Sequence, residues 1–217
     1  MAVTFTETKS ELMRMAAEQL LSHTAELRLT TRQKLALTCR ALFDGGHDSG
    51  LAGQITARAE APGTYYRSRP DVQCIVHTHA FHVAALSMLE VPLAVSHMDT
   101  APLYDDCAFL ADWPGVPVGN EEGEIIAVAL GDKKAVLLAH HGQVVAGASI
   151  EEACSLAILV ERAAKLQLAA MAAGTIRKLP EALAREAHDW TLSPQRSLAN
   201  FAYYARRALA RHPDVLS

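Results

Sequence analysis

No apolar run in this 217-residue chain reaches the length a membrane span requires, and no signal-peptide pattern opens it. A membrane protein is therefore not expected. There is no CxxC pair either: Cys39, Cys74, Cys107 and Cys154 are widely spaced, so four free thiols in a reducing cytoplasm are expected. A long basic run is also missing, and the formal charge is −4, which argues against a nucleic-acid partner. Neither an internal repeat nor a low-complexity tract divides the chain. What is present is 50% hydrophobic and 20% charged sequence, enough apolar material for one globular domain with an ample core and too much for disorder.

The chemistry concentrates at the ends of two apolar runs. Cys74-Ile75-Val76 reads as a buried strand closed by His77 and His79, and positions two apart on a strand share a face. A second buried run, Ala135 to Ala139, ends in His140-His141-Gly142, where the glycine permits a sharp turn or a close backbone approach. If these ends are neighbours, His77, His79 and either His140 or His141 form a facial three-histidine site. Three neutral imidazoles and an open position are what a catalytic zinc uses to activate water or polarise a carbonyl. Taken singly, a histidine at a strand end is more often a hydrogen-bonded loop residue.

The remaining elements follow from periodicity and caps. Leu12, Met15, Ala16, Leu20 and Leu27 suggest an amphipathic helix within residues 8–29. A second helix, capped by Thr30 or Thr31, runs through Leu35, Leu37, Ala41 and Leu42 and stops at Asp44-Gly45-Gly46. The glycine-rich loop from Gly45 leads into a Gln54-Ile-Thr-Ala-Arg58 strand, and its backbone N–H groups either face an anion or simply make the turn. His82 opens a helix-like run to Leu89. Residues 91–118 read as loop-rich, with His97, Asp99, Tyr104, Asp105 and Asp106 clustered among the prolines and Tyr104, Asp105 and Asp106 as candidate pocket residues. A short helix covers Glu121 to Leu130, and Ser149 caps a long one reaching about Met171; Glu161 on its apolar stripe either pairs with a histidine's outer nitrogen or, the preferred reading, turns to the rim. Helices beginning at Pro180 and Ser193-Pro194 complete the chain, the last carrying Tyr203, Tyr204 and several arginines.

Arg69-Pro70-Asp71-Val72, then Val76-His77-Thr78-His79, then Val136-Leu137-Leu138 with His141-Gly142, and finally Gly147 with Glu151-Glu152-Ala153 form a specific combination. With these motifs the chain resembles the class II aldolase/adducin family from about Leu35 to Leu168. The resemblance implies an α/β fold, a three-layer α/β/α sandwich around a mostly antiparallel sheet. It implies one such domain over residues 1–217, with helical extensions at about 1–29 and 175–217. The implied metal ligands are His77, His79 and His141, with His140 where the family often has asparagine. The implied metal is Zn²⁺, with Fe²⁺ as the alternative, since three imidazoles suit both.

Gln54 stands where phosphosugar members carry an asparagine that helps to hold phosphate, so Gln54 and the upstream His47 are the candidate substrate contacts in this loop. Tyr104 is the third candidate, because Gly115 or Trp113 falls where sugar-phosphate aldolases of the family place a proton-donating tyrosine. Between Ala59 and Pro70 the chain departs further from the family. Two strands, a serine-rich phosphate contact and the acid/base glutamate normally lie there, so no general acid or base is assigned, Glu60 included. The implied function is a metal-dependent aldolase-like lyase, in which the metal chelates a small hydroxy-carbonyl substrate and stabilises an enediolate. The family also implies epimerases and dehydratases using the same chemistry, iron-dependent oxygenases of aromatic keto acids, and adducin-like interaction modules without metal. A homotetramer with active sites between subunits is implied; the arginines of the last helix read as a solvated face, the alternative being that this helix reaches a neighbour's cleft.

Overall fold

The computed structural model describes residues 7–22, 24, 27–58, 69–112, 115 and 120–217. Five short strands form its centre: β1 (Gln54–Ala57), β2 (Cys74–Thr78), β3 (Cys107–Leu110), β4 (Ala135–Leu138) and β5 (Gln143–Gly147). They lie in the order β1-β2-β5-β4-β3, and every pair is antiparallel except β3 with β4. The strand alternation sorts side chains onto two faces. Cys74, Val76, Leu137 and Val145 point to one side and pack with Val83, Leu86, Leu156, Ala157 and Val160. Ile75, Val136, Leu138, Val144 and Ala146 point to the other and pack with Ile126, Ala129 and Leu130. Helices therefore cover both faces, which is the three-layer α/β/α sandwich with a mostly antiparallel sheet. β4 is buried at all four positions, which explains why its sequence is an unbroken apolar run.

The helices are α1 (Lys9–Ser22), α2 (Thr31–Asp44), α3 (Phe81–Ser87), α4 (Asn120–Leu130), α5 (Ile150–Ala173), α6 (Glu181–Thr191) and α7 (Pro194–Arg211). Thr30 caps α2 through a reciprocal box with Gln33, and Gly46 turns the chain away at φ +86°. The Ser149 hydroxyl accepts the Glu152 N–H to open α5. α1 stops at Ser22, short of the 8–29 span suggested by periodicity, and Leu27 and Leu29 instead pack beside Leu37, Ala41, Phe201 and Ala205. No helix among the described residues is long and apolar enough to cross a membrane.

Within the loop-rich residues 91–118, Met98–Leu103 form a 3₁₀ helix and Cys107–Leu110 the edge strand β3. Residues 143–147 form β5, which lies between the two histidine-bearing strands, so β2 and β4 are not themselves neighbours. Glu161 is not on the rim. It is buried and accepts the N–H groups of His82 at 3.1 Å and Val83 at 2.9 Å, while its carboxylate also pairs with the His82 Nδ1. Ala80, which precedes α3, has no side chain able to cap it, so a carboxylate from α5 does so.

Candidate metal centre

The sheet topology brings the three histidines together. β2 runs up to Thr78 with His77 on the α4 face, and His79 follows immediately beyond the strand. β4 turns tightly into β5, which pairs back along β2 with Gln143 opposite Thr78, so the turn carrying His141 arrives at the same end. The ring centroids are 5.0 Å apart for His77 and His79, 4.9 Å for His77 and His141, and 4.6 Å for His79 and His141. Their ligand nitrogens all lie within 4.8 Å of one another. His140 does not join them. Its backbone is left-handed at φ +57°, and its Nε2 pairs with Glu90 at 2.7 Å. Strand geometry alone left His140 and His141 open, and His141 is the one that joins the cluster.

The electrostatics suit a metal. The His77 Nδ1–H donates to the Gln143 carbonyl at 2.9 Å, which fixes the tautomer and leaves Nε2 bare, 3.3 Å from the His79 Nε2. Burial lowers the His77 pKa, and burial followed by repulsion from His77 lowers that of His79. Burial, with added repulsion from both neighbours, lowers His141 to about 4. All three imidazoles are therefore neutral at pH 7, with lone pairs free to ligate. Half-buried rings leave one side of the cluster open. This donor set fits a divalent transition metal held by His77, His79 and His141.

Gln54 sits directly opposite His77 in the β1–β2 register, and its exposed side chain shares the face of that ligand. His47 lies behind the strand instead of in the open. It is 6% exposed, and its Nδ1 is 2.9 Å from the Thr78 Oγ1. Tyr104 is not brought to the cluster within this chain. β3 runs parallel to β4, with Cys107 beside Ala135, so residues just before β3 lie at the sheet end opposite His141. There the Tyr104 ring lies beneath Arg185, Asp105 pairs with Lys133, and Asp106 pairs with His188. Glu60 and Trp113 fall outside the described residues. Sequence reasoning passed over Gln143, fully buried behind His77, and Thr78, the residue between two ligands. A polar residue opening an otherwise apolar stretch was the available signal at Gln143.

Burial holds the His47 pKa down to about 4, against an ordinary value of 6.5. The folded chain thus refuses a proton that the unfolded chain accepts. The associated stability is intact above pH 6.5 and is lost as pH falls through 6.5 toward 4, reaching roughly 2–3 kcal/mol at pH 4.5. Urea melts of chelator-treated protein at pH 7 and 4.5 are expected to show this loss, and His47→Gln to reduce it by that amount. An equal acid loss in the variant would remove His47 from the account.

Strands sandwiched by helices, with three imidazoles converging at one sheet end, define an α/β protein equipped for a metal. Residues 63–168 match the Class II Aldolase and Adducin N-terminal domain, and the chain belongs to the class II aldolase and adducin family. It superposes on L-fuculose 1-phosphate aldolase from Glaciozyma antarctica PI12 with a TM-score of 0.75 at 22% identity, covering 99% of this chain and 96% of that one. In sequence it is 31% identical over 150 residues to Decarboxylase NovR of Streptomyces niveus, covering 69% of this chain and 56% of the relative. It is 39% identical over 108 residues to an L-fuculose phosphate aldolase of Escherichia coli O6:H1, covering 49% of each. The chain spans about half the length of the curated relatives it matches.

Proposed function

We propose that the chain is a metal-dependent lyase that breaks the aldol carbon–carbon bond of a small hydroxy-carbonyl substrate, with the metal held by His77, His79 and His141. The observation that carries this reading is the convergence of three neutral imidazole nitrogens within 4.8 Å at a rigid sheet end. A divalent metal there, zinc in the first instance and Fe²⁺ in the alternative, would supply a Lewis acid for the substrate's oxygens. In the cleavage the bond's electron pair moves onto the carbonyl side, the β-hydroxyl gives up its proton to water, and the carbon left with the electron pair takes a proton back from water. The Gln143 carbonyl keeps His77 oriented, and Gln54 beside it offers a neutral amide to a substrate hydroxyl or carbonyl.

The relatives support a lyase: several are named L-fuculose phosphate aldolase. A second reading, decarboxylation or oxygenation of an aromatic keto acid with Fe²⁺, draws on the relatives that cover more of this chain. One is a decarboxylase and another a 4-hydroxy-3-prenylphenylpyruvate oxygenase, each matched over 69% of it. Epimerase and dehydratase activities would use the same ligands, whereas a metal-free adducin-like module would not need them. The reading carries with it one domain with helical extensions at 1–29 and 175–217, a homotetramer, and a cytoplasmic setting suited to four free thiols. The test is a panel of hydroxy-carbonyl compounds given anaerobically to zinc-loaded protein. Release of an aldehyde is expected. Oxygen uptake and CO₂ release from an aromatic keto acid by the iron-loaded protein, with no aldehyde from the panel, would replace the lyase by the second reading.

A further inference from the structure

Thr78 stands between His77 and His79, and three segments that build the site meet on it. On the α5 face its Oγ1 lies 2.9 Å from the His47 Nδ1 and accepts an N–H from the Gln143 side chain at 3.0 Å. The second amide proton of Gln143 goes to the Ala157 carbonyl at 3.2 Å. A hydroxyl that accepts from Gln143 has its own proton left for a bare His47 Nδ1 when His47 is neutral, which leaves the His47 Nε2–H and the Gln143 Oε1 buried without a partner among the described residues. The backbone contacts are equally close. A Cβ on Gly53 would stand 3.0 Å from the His77 carbonyl and 3.6 Å from the Thr78 Cα. The strand ends of the glycine-rich loop, the ligand strand and the hairpin tip therefore touch at one residue.

This polar knot is costly to bury. Thr78 is 5% exposed, His47 6% and Gln143 0%, in a region where valine, leucine or phenylalanine would fill the same volume without desolvating polar groups. Networks of this kind fix one geometry, because any departure strands a buried donor or acceptor. The geometry fixed here is that of the ligands. Gln143 holds Thr78 through its side chain and His77 through its backbone carbonyl, so it couples the hairpin tip carrying His141 to the strand carrying His77 and His79.

We propose that Thr78 is a positioning residue, which with His47 and Gln143 sets the spacing of His141 against His77 and His79 and thereby the affinity for metal. The proposal rests on the metal-site reading above. It is tested by titrating chelator-treated protein with Co²⁺, read by its visible absorption, and with Zn²⁺ in competition with a chromophoric chelator. Thr78→Val removes the hydroxyl and keeps the volume; it is expected to weaken binding roughly ten- to hundredfold and to alter the Co²⁺ band. Thr78→Ser keeps the hydroxyl and is expected to bind within about threefold of the native chain.

Native-like affinity and an unchanged Co²⁺ band in Thr78→Val would overturn the proposal while leaving the metal site standing. So would a serine variant as weak as the valine one. Failure of the native chain to bind either ion would overturn the metal site and this inference together. Should Thr78→Val not fold, His47→Phe leaves Thr78 in place, removes its ring partner and carries the same expectation for affinity and spectrum.

Discussion

Replacing His141 by alanine is expected to strip the protein of its metal. Purified under conditions that keep iron reduced, the native chain should carry about one metal ion per chain, and His141→Ala under a tenth of that. Two imidazoles on adjacent segments retain a metal far more weakly than three in a facial set. The neighbouring histidine offers no rescue, because the His140 backbone is left-handed at φ +57° and its ring is engaged with Glu90. The metal-free fold should survive the change. The three rings repel one another when protonated, and removing one relieves part of that repulsion. Zinc in the native protein would favour the aldol panel, and iron the keto-acid reading. No metal in either protein would end the enzymatic proposal and leave an interaction module.

The sequence disclosed features whose cause is local. Thr30 or Thr31, Ser149 before Glu152, and the Gly45-Gly46 stop mark helix ends by chemistry within one turn; the structure keeps the last two and resolves the first to Thr30, boxed with Gln33. β4 was legible because all four of its positions are buried, and β2 because fully buried Cys74 and Val76 flank a β-branched Ile75. β5 was not, since Gln143, Ala146 and Gly147 break its pattern and its identity comes from pairing with β2 and β4 on either side. β3 is four residues long and half-buried, and its parallel pairing with β4 is a long-range decision. That decision also carries Tyr104 away from the histidines. Glu161 teaches the same lesson: its helical stripe predicted the face, but its partner is the start of another helix.

Within the site, residue types were legible and tautomers, neighbours and backbone angles were not. The His77-x-His79 spacing gives a shared side by strand geometry alone. Strand geometry alone left His140 and His141 open and only the family resemblance pointed to His141, while the roles of Thr78 and His47 required knowing that Gln143 lies opposite Thr78.

Gly142→Ala is expected to be the most damaging single methyl that can be added near the site. The new Cβ would lie 2.5 Å from the Thr78 carbonyl oxygen, 2.8 Å from the His79 Cδ2 and 3.3 Å from the His79 Cα. The first of these is backbone at the end of a strand hydrogen-bonded on both sides, between β1 and β5, so it cannot yield. The hairpin tip must retreat, and His141 retreats with it. Overpacking of this kind costs about 2–3 kcal/mol, a fall of roughly 5–10 °C in melting temperature for a chain of this size. Gly147→Ala separates the two consequences. Its Cβ would meet the Ala153 N at 2.6 Å and the Ser149 carbonyl at 2.9 Å, a comparable clash at the far end of β5, where Gly147 pairs with Cys74. Both variants should melt early, but only Gly142→Ala should also lose metal affinity, by roughly tenfold or more. Matched losses of affinity in the two would mean that metal binding follows overall stability and that the hairpin tip does not place the third ligand.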